Sequence, residues 1–430
     1  MASSEIYVKR IRTVALALFA FSVLFSVTAV EGALLLLAGT LVFERCRVEK
    51  LPLLLRQAAG QPLFRLWMFY LAAALLAAIF ALDRGAAFAY LPSDLIKYLC
   101  FAVLLASLKE DLLGTMSEFY VAGAIFTATA GIVYVAWFFS SYGTFYPRAG
   151  AFSNPVRYGE IMVIAFAFVL SALLLPTRLR DGERSRFSMG PSGRMYYLAA
   201  VVLLFVTILL TRTRGSFLGL AAVLAALLAV DKQLRKRAAA LVAAFVLIGA
   251  LAAVFNPYLR GRVTGTYTGL KAAVSGFSPA NAETTGNKDS VGITIRMELW
   301  KMGFRMFRDH PVSGVGPGNI KSSFKTYHPG PLGIQETWSS VHNLYLQQLV
   351  ERGILGLAAL LALFGAMFAL ALRNFHAGRN AYTLWALTVL PAYYIMNLTE
   401  ISFQHIHTSF AVFLALAAST NSVTSKRNAV

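Results

Sequence analysis

Four short stretches carry residue types and spacings suited to chemistry. The first is Thr211-Arg212-Thr213-Arg214-Gly215-Ser216, between two apolar runs. The planar guanidinium fork of arginine matches phosphate oxygens bidentately. Gly215 is able to take a positive φ and end one helix, with Ser216 capping the next. The free N–H groups and positive dipole end of that next helix then stand beside Arg214. Such a junction suits a phosphate or diphosphate; the competing reading is that Arg212 and Arg214 snorkel to lipid headgroups.

The second stretch is Ile293 to Arg308, ITIRMELWKMGFRMFR. Ile293, Met297, Trp300, Phe304 and Phe307 recur at three- and four-residue steps, which predicts an amphipathic helix. On it Arg296 is able to face the same anion, while Arg305 and Arg308 read as its solvated side. The third is Ser339-Ser-Val-His342-Asn-Leu344, where a neutral imidazole at the start of an apolar run is able to accept a proton near neutral pH. The fourth is Arg148 to Arg157, in which Asn154 and Pro155 form a helix-start signal. Arg148 and Arg157 are further candidate phosphate ligands, and Glu160, one turn on, is placed to pair with Arg157. Glu400, between the last two apolar runs, is a carboxylate suited to sugar hydroxyls and a candidate for acceptor binding.

Other chemistry is missing from the chain. There is no Walker A sequence, and GVGPGN at 314–319 is not flanked by a strand and a helix as a dinucleotide fingerprint requires. The acids of the long loop, Glu283, Asp289, Glu298, Asp309 and Glu336, are scattered. No His/Cys cluster suggests zinc. The reading is therefore of a site with no metal and no cofactor.

The elements that must position these residues are membrane helices. Of 430 residues 58% are hydrophobic and 14% charged, and mean hydropathy is +0.64, far from a soluble domain. Apolar runs predict about twelve spans, at roughly 12–29, 31–44, 63–82, 91–107, 119–140, 157–176, 195–212, 215–231, 238–255, 343–372, 381–398 and 402–421; the second is short enough to be a partial crossing. The net charge of +19 does not point to nucleic acid. About 22 of the 39 Lys and Arg fall in loops on one side, among them Arg47, Lys50, Arg56, Lys109, Arg178, Arg180, Arg184, Arg186, Lys232 and Arg379. Topology and contact with anionic membrane lipids explain most of them.

Three parts follow: spans one to nine in residues 1–255, one long outer loop in 256–341, and spans ten to twelve in 342–430. The Gly-, Ser-, Asn- and Thr-rich stretch 275–292 reads as a mobile segment or lid. Cys46 and Cys100 read as small apolar residues, with no disulfide implied. Lys97, inside a span, has no evident role.

TRTRG after an apolar span, R-x3-W followed by HPVSGVGPGN, and HNLYLQQLVERGILGL resemble the O-antigen ligase and polymerase superfamily. The likeness is strongest from Ile293 to Leu357. It implies an all-α, polytopic, GT-C-like membrane fold in a bacterial inner membrane, with the active site facing the periplasm. It also implies a metal-independent, inverting glycosyltransferase, an O-antigen ligase that moves an undecaprenyl-diphosphate-linked O-antigen to a terminal sugar of the lipid A core in lipopolysaccharide biosynthesis. By that resemblance Arg214 and Arg296, then Arg212 and Arg157, hold the donor diphosphate, and His342 activates the acceptor. Three alternatives stay open: a polymerase joining lipid-linked repeat units, a protein O-oligosaccharyltransferase, and a non-enzymatic transporter of lipid-linked glycan.

Overall fold

The structure is a computed structural model and describes residues 2–46, 62–142, 148–175, 191–230, 232–274, 288–330, 332 and 335–427. The expected basic loops around Arg47 to Arg56 and Arg178 to Arg186, and the 275–287 part of the expected lid, lie outside the described residues. Fifteen α-helices are described. In chain order they are α1 (Ala2–Ser22), α2 (Val27–Cys46), α3 (Pro62–Ile79), α4 (Arg84–Ser107), α5 (Leu113–Tyr142), α6 (Pro155–Leu174), α7 (Pro191–Thr211) and α8 (Arg214–Val230). There follow α9 (Lys232–Phe255), α10 (Pro257–Val274), α11 (Lys288–Asp309), α12 (Ile320–Tyr327), α13 (Leu344–Ala377), α14 (Ala381–Met396) and α15 (Ile406–Arg427). Among the described residues there is no strand, only an isolated bridge between Leu332 and Gln335.

The chain is an all-α polytopic membrane protein. Nine of its described helices are long and apolar enough to cross a bilayer, and α8 and α14 are shorter apolar helices. Helices satisfy their backbone groups internally, which a lipid environment demands. Three expected boundaries move. The helix at the first expected span, α1, ends at Ser22 rather than residue 29 and is not among the nine. The second is a full 20-residue helix, not a partial crossing. Residues 288–292, expected in the lid, belong to α11.

Packing ranks the helices. Most of α6 is buried; it lies against α7, α8, α14 and α15 at the centre of the bundle. By contrast α9 turns Val246, Leu247, Leu251 and Phe255 outward, as a lipid-facing helix does. Small residues let the central helices approach closely. A Cβ on Gly219 of α8 would lie 2.6 Å from the Met396 sulfur of α14, and one on Gly159 of α6 would lie 2.2 Å from Ser216 Oγ.

Lys97 finds its place here. It is fully buried on α4, donates to the Ser93 carbonyl at 2.7 Å and lies 3.6 Å from Asp94 Oδ1. Asp94 in turn accepts from Arg352 Nη2 of α13 at 2.6 Å, and Arg352 also reaches Tyr70 of α3 and Gln348. This paired charge network ties α3, α4 and α13 together. Charges taken out of water persist only when so compensated.

The 256–341 stretch contributes α10, α11 and α12 and shares a second apolar cluster with the start of α13, built on Leu299, Met302, Met306, Val315, Ile320 and Val350. The buried face of α11 is therefore Ile295-Leu299-Met302-Met306, not the expected stripe. Phe304 is 57% exposed. Both stripes have helical spacing, and tertiary contact selects between them.

After α11 the chain turns through three glycines with positive φ, Gly314 (68°), Gly316 (109°) and Gly318 (75°). It feeds into a break in α13 at Gly353, where φ is 63° and ψ −164°. The break frees backbone groups, and the incoming segment satisfies them. Val315 N donates to Val350 O at 2.8 Å, Gly316 N to Glu351 O at 3.1 Å, and Ile354 N to Pro311 O at 2.9 Å. A Cβ on Gly353 would lie 2.0 Å from Val312 O, so only glycine fits. The span expected over 343–372 is thus two helical pieces joined at this seam.

Candidate active site

Arg296, His342 and Glu400 converge from three elements. Arg296 projects from α11. His342 lies in the strap that leads into α13, and Glu400 in the turn that leaves α14. Backbone bonds lock strap and turn together: Leu344 N donates to Asn397 O at 2.9 Å and to Glu400 O at 3.1 Å. Asn343 caps α13 by accepting from Leu346 N at 3.1 Å. Trp300 of α11 donates its indole N–H to Val341 O at 3.0 Å.

The Glu400 carboxylate bridges the other two side chains. Arg296 Nη2 donates to Oε1, and His342 Nδ1 lies 3.0 Å from Oε2. A carboxylate only accepts, so Nδ1 carries the proton and Nε2 is left as the basic nitrogen. The His342 backbone has a positive φ of 51°. Ser340 Oγ accepts from His342 N at 2.9 Å, and the Trp338 ring stands edge-on to the imidazole at 5.6 Å. Glu400 is buried while His342 is about a quarter exposed, so the site is open on the imidazole side. Burial pushes the Glu400 carboxyl up, but the His342 hydrogen bond and the Arg296 charge outweigh it and hold it below the ordinary value.

The arginine junction abuts this turn. A Cβ on Gly215 would lie 3.0 Å from Thr399 Oγ1, so α8 begins against the residue before Glu400. The junction is built differently from expectation. Gly215 has ordinary helical backbone, and the positive φ of 50° falls on Arg212. Thr213, not Ser216, precedes the first helical residue, with its carbonyl accepting from Phe217 N at 3.1 Å. Gly215 is small for the sake of close approach. Arg214 stands at the first turn of α8, where free N–H groups and dipole add to its charge. Arg212 turns toward α10, its guanidinium 5.2 Å from the Tyr258 ring centroid. Arg148 donates from Nε to Thr211 O at 2.8 Å, which pins the loop before α6 to the junction.

Arg157 is exposed on the first turn of α6, with Asn154 capping that helix as expected. Glu160 does not pair with Arg157. Its Oε1 accepts from Ser402 Oγ at 2.7 Å, two residues past Glu400, and its Oε2 has no hydrogen-bond partner. His405, beyond the same turn, is pushed down to about 3 by burial and the Arg157 charge. Sequence reasoning missed Ser402 and His405. Neither stands in a recognisable motif, although both follow Glu400 within five residues. His328, a rival base in the long segment, has Nδ1 2.8 Å from the Gly330 carbonyl rather than from a carboxylate. Arg305 and Arg308 are exposed, as expected of a solvated face.

The sequence model of the O-antigen ligase family matches residues 199–361. The matched stretch contains Arg212, Arg214, Arg296 and His342, the Gly-rich turn and the Gly353 seam; Arg157 and Glu400 lie outside it. No curated protein shows a significant match to the chain. The domain at 199–361, which holds the arginine junction, loop helix and histidine strap just described, is similar to the O-antigen ligase family.

Proposed function

We propose that the protein is an O-antigen ligase of a bacterial inner membrane, transferring a glycan from a lipid-linked diphosphate donor to the sugar of a lipid A core on the periplasmic side. The observation that carries the reading is the Glu400 bridge, which couples His342 to Arg296 on a turn whose Thr399 packs against Gly215, the residue after Arg214 at the start of α8. Breaking the glycosidic bond to a diphosphate builds charge on the leaving oxygen. Arg296 and Arg214, aided by the first turn of α8 and by Arg157 and Arg212 at its margins, stabilise that charge. His342 Nε2 takes the proton of the attacking hydroxyl as the new bond forms, and Glu400 steadies the resulting imidazolium. With both oxygens engaged, Glu400 acts here as a positioning residue rather than the acceptor ligand its sequence position suggested. Attack opposite the leaving diphosphate inverts the anomeric carbon.

Polymerases share the superfamily, so the test must separate the two. Lipopolysaccharide from a strain lacking the gene should carry bare core, and the wild-type gene should restore the O-antigen. Core bearing one repeat unit would mean a polymerase, and unchanged lipopolysaccharide would remove both readings.

A further inference from the structure

The strap that carries His342 and the turn that carries Glu400 share a third partner, deeper in the bundle. Glu351, on the last turn of α13 before the Gly353 seam, is 1% exposed. Its Oε1 accepts from Gln347 Nε2 at 2.8 Å and from Gly318 N at 3.2 Å. Its Oε2 faces Gln404 Nε2 at 3.4 Å. Gln347 then passes the link on, its Oε1 accepting from Val341 N at 3.0 Å, one residue before His342. Gln404 lies four residues beyond Glu400 and ends the short 3-10 turn Ser402–Gln404. One buried carboxylate therefore joins the Gly-rich turn, the histidine strap and the carboxylate turn.

Such a junction is needed because His342 has a positive φ, a conformation that a non-glycine residue adopts only where its surroundings impose it. The Ser340 bond fixes one side of that peptide. The peptide before it is fixed by its Val341 N–H, which is held through Gln347 by Glu351. We propose that Glu351 is a positioning residue for the His342–Glu400 pair, acting through Gln347 on one limb and Gln404 on the other. The proposal rests on the functional reading above and deepens it. Glu351 touches no reacting atom. Its three donors make hydrogen-bond acceptance its task, not charge.

The test compares Glu351→Ala and Glu351→Gln in purified, full-length protein. Gln keeps one acceptor oxygen for Gln347 and Gly318, and the Gln404 amide can turn to meet the new NH2. Glu351→Ala should lower kcat by about tenfold or more, since small misplacements of a reacting group are costly, while the donor KM stays within about twofold of wild type. Backbone hydrogen exchange should quicken in 338–344 and 397–405 and stay unchanged in α6. Glu351→Gln should recover most of both. If Glu351→Ala does not fold, Gln347→Met, which cuts only the limb to Val341, should give the same kcat loss and the same exchange in 338–344. The proposal is overturned if the folded variant keeps wild-type kcat and exchange, or if Glu351→Gln is as damaged as Glu351→Ala. His342→Ala in the same assay separates the two levels of inference. A dead His342→Ala beside a normal Glu351→Ala sinks the positioning role alone, whereas an active His342→Ala sinks the functional reading.

Discussion

His342 Nδ1 lies 3.0 Å from Glu400 Oε2, and the second oxygen of the same carboxylate takes Arg296 Nη2. In the proposed mechanism, the residue that fixes the tautomer of the base is thus also a residue that ties α11 to the turn after α14. One side chain thus takes part both in the proposed chemistry and, with Trp300 and the apolar face of α11, in docking the long segment.

That dependence gives a pH signature. The folded-state pKa of Glu400 lies below its ordinary value of 4.5, so the stabilisation is present above about that pH and lost only as pH falls through the lower folded value. Glu400→Gln should cost about 1.5–3 kcal/mol at neutral pH, as expected for hydrogen bonds to charged groups. The gap in thermal stability between wild type and Glu400→Gln should not shrink between pH 8 and roughly 5. His405, held down at about 3, stays neutral in the folded protein over that range; the stability lost as it protonates in the unfolded chain below about 6.5 is common to both proteins and cancels in the gap. A gap that closes between pH 7 and 5.5 would contradict this assignment.

The arginines should resist conservative exchange. Arg214→Lys and Arg296→Lys keep the charge but lose the fork, so each should remain about 10²-fold impaired in transfer, close to the alanine variant. Arg305→Ala and Arg308→Ala should be near wild type, because both side chains face solvent. With arginines carrying the diphosphate, transfer by purified protein should survive a strong chelator. Activity lost to the chelator and restored by magnesium or manganese would refute the arginine-only assignment.

The Gly353 seam should be the most fragile point of the fold. Gly353→Ala adds a Cβ that would lie 2.0 Å from a backbone carbonyl, at a φ of 63°. The cost should be about 3 kcal/mol or more, seen as loss of folded protein in the membrane. Gly365→Ala, in the same helix with nothing within 4 Å of the new Cβ, should fold normally. Equal yields of the two variants would show that the seam does not constrain the fold.

How much was legible in the sequence depends on the kind of signal. The all-α membrane fold was readable because apolar runs and basic loops are local. The α6 start at Asn154-Pro155 and the Gly-rich turn were readable for the same reason, each resting on adjacent residues. Arg296, His342 and Arg214 stood out by type and place. The union of Arg296 and His342 through Glu400 did not, since it joins positions 104 and 58 residues apart along the chain. Gly353 looked like an ordinary residue of a long span. Its role follows from the 310–319 segment threading beside it, which no periodicity reports. The apolar face of α11 was misread because two helical stripes compete on it, and only contact with Val315, Ile320 and Val350 decides between them.

The most direct measurement is single-turnover transfer by purified His342→Ala, beside His310→Ala and His328→Ala, with donor binding measured on the same samples. His342→Ala should bind donor within about twofold of wild type and lose about 10²–10⁴-fold in transfer, the usual contribution of a positioned base. His310→Ala and His328→Ala should stay close to wild type. Near-wild-type transfer by His342→Ala, with His328→Ala inactive, would contradict the assignment of the base.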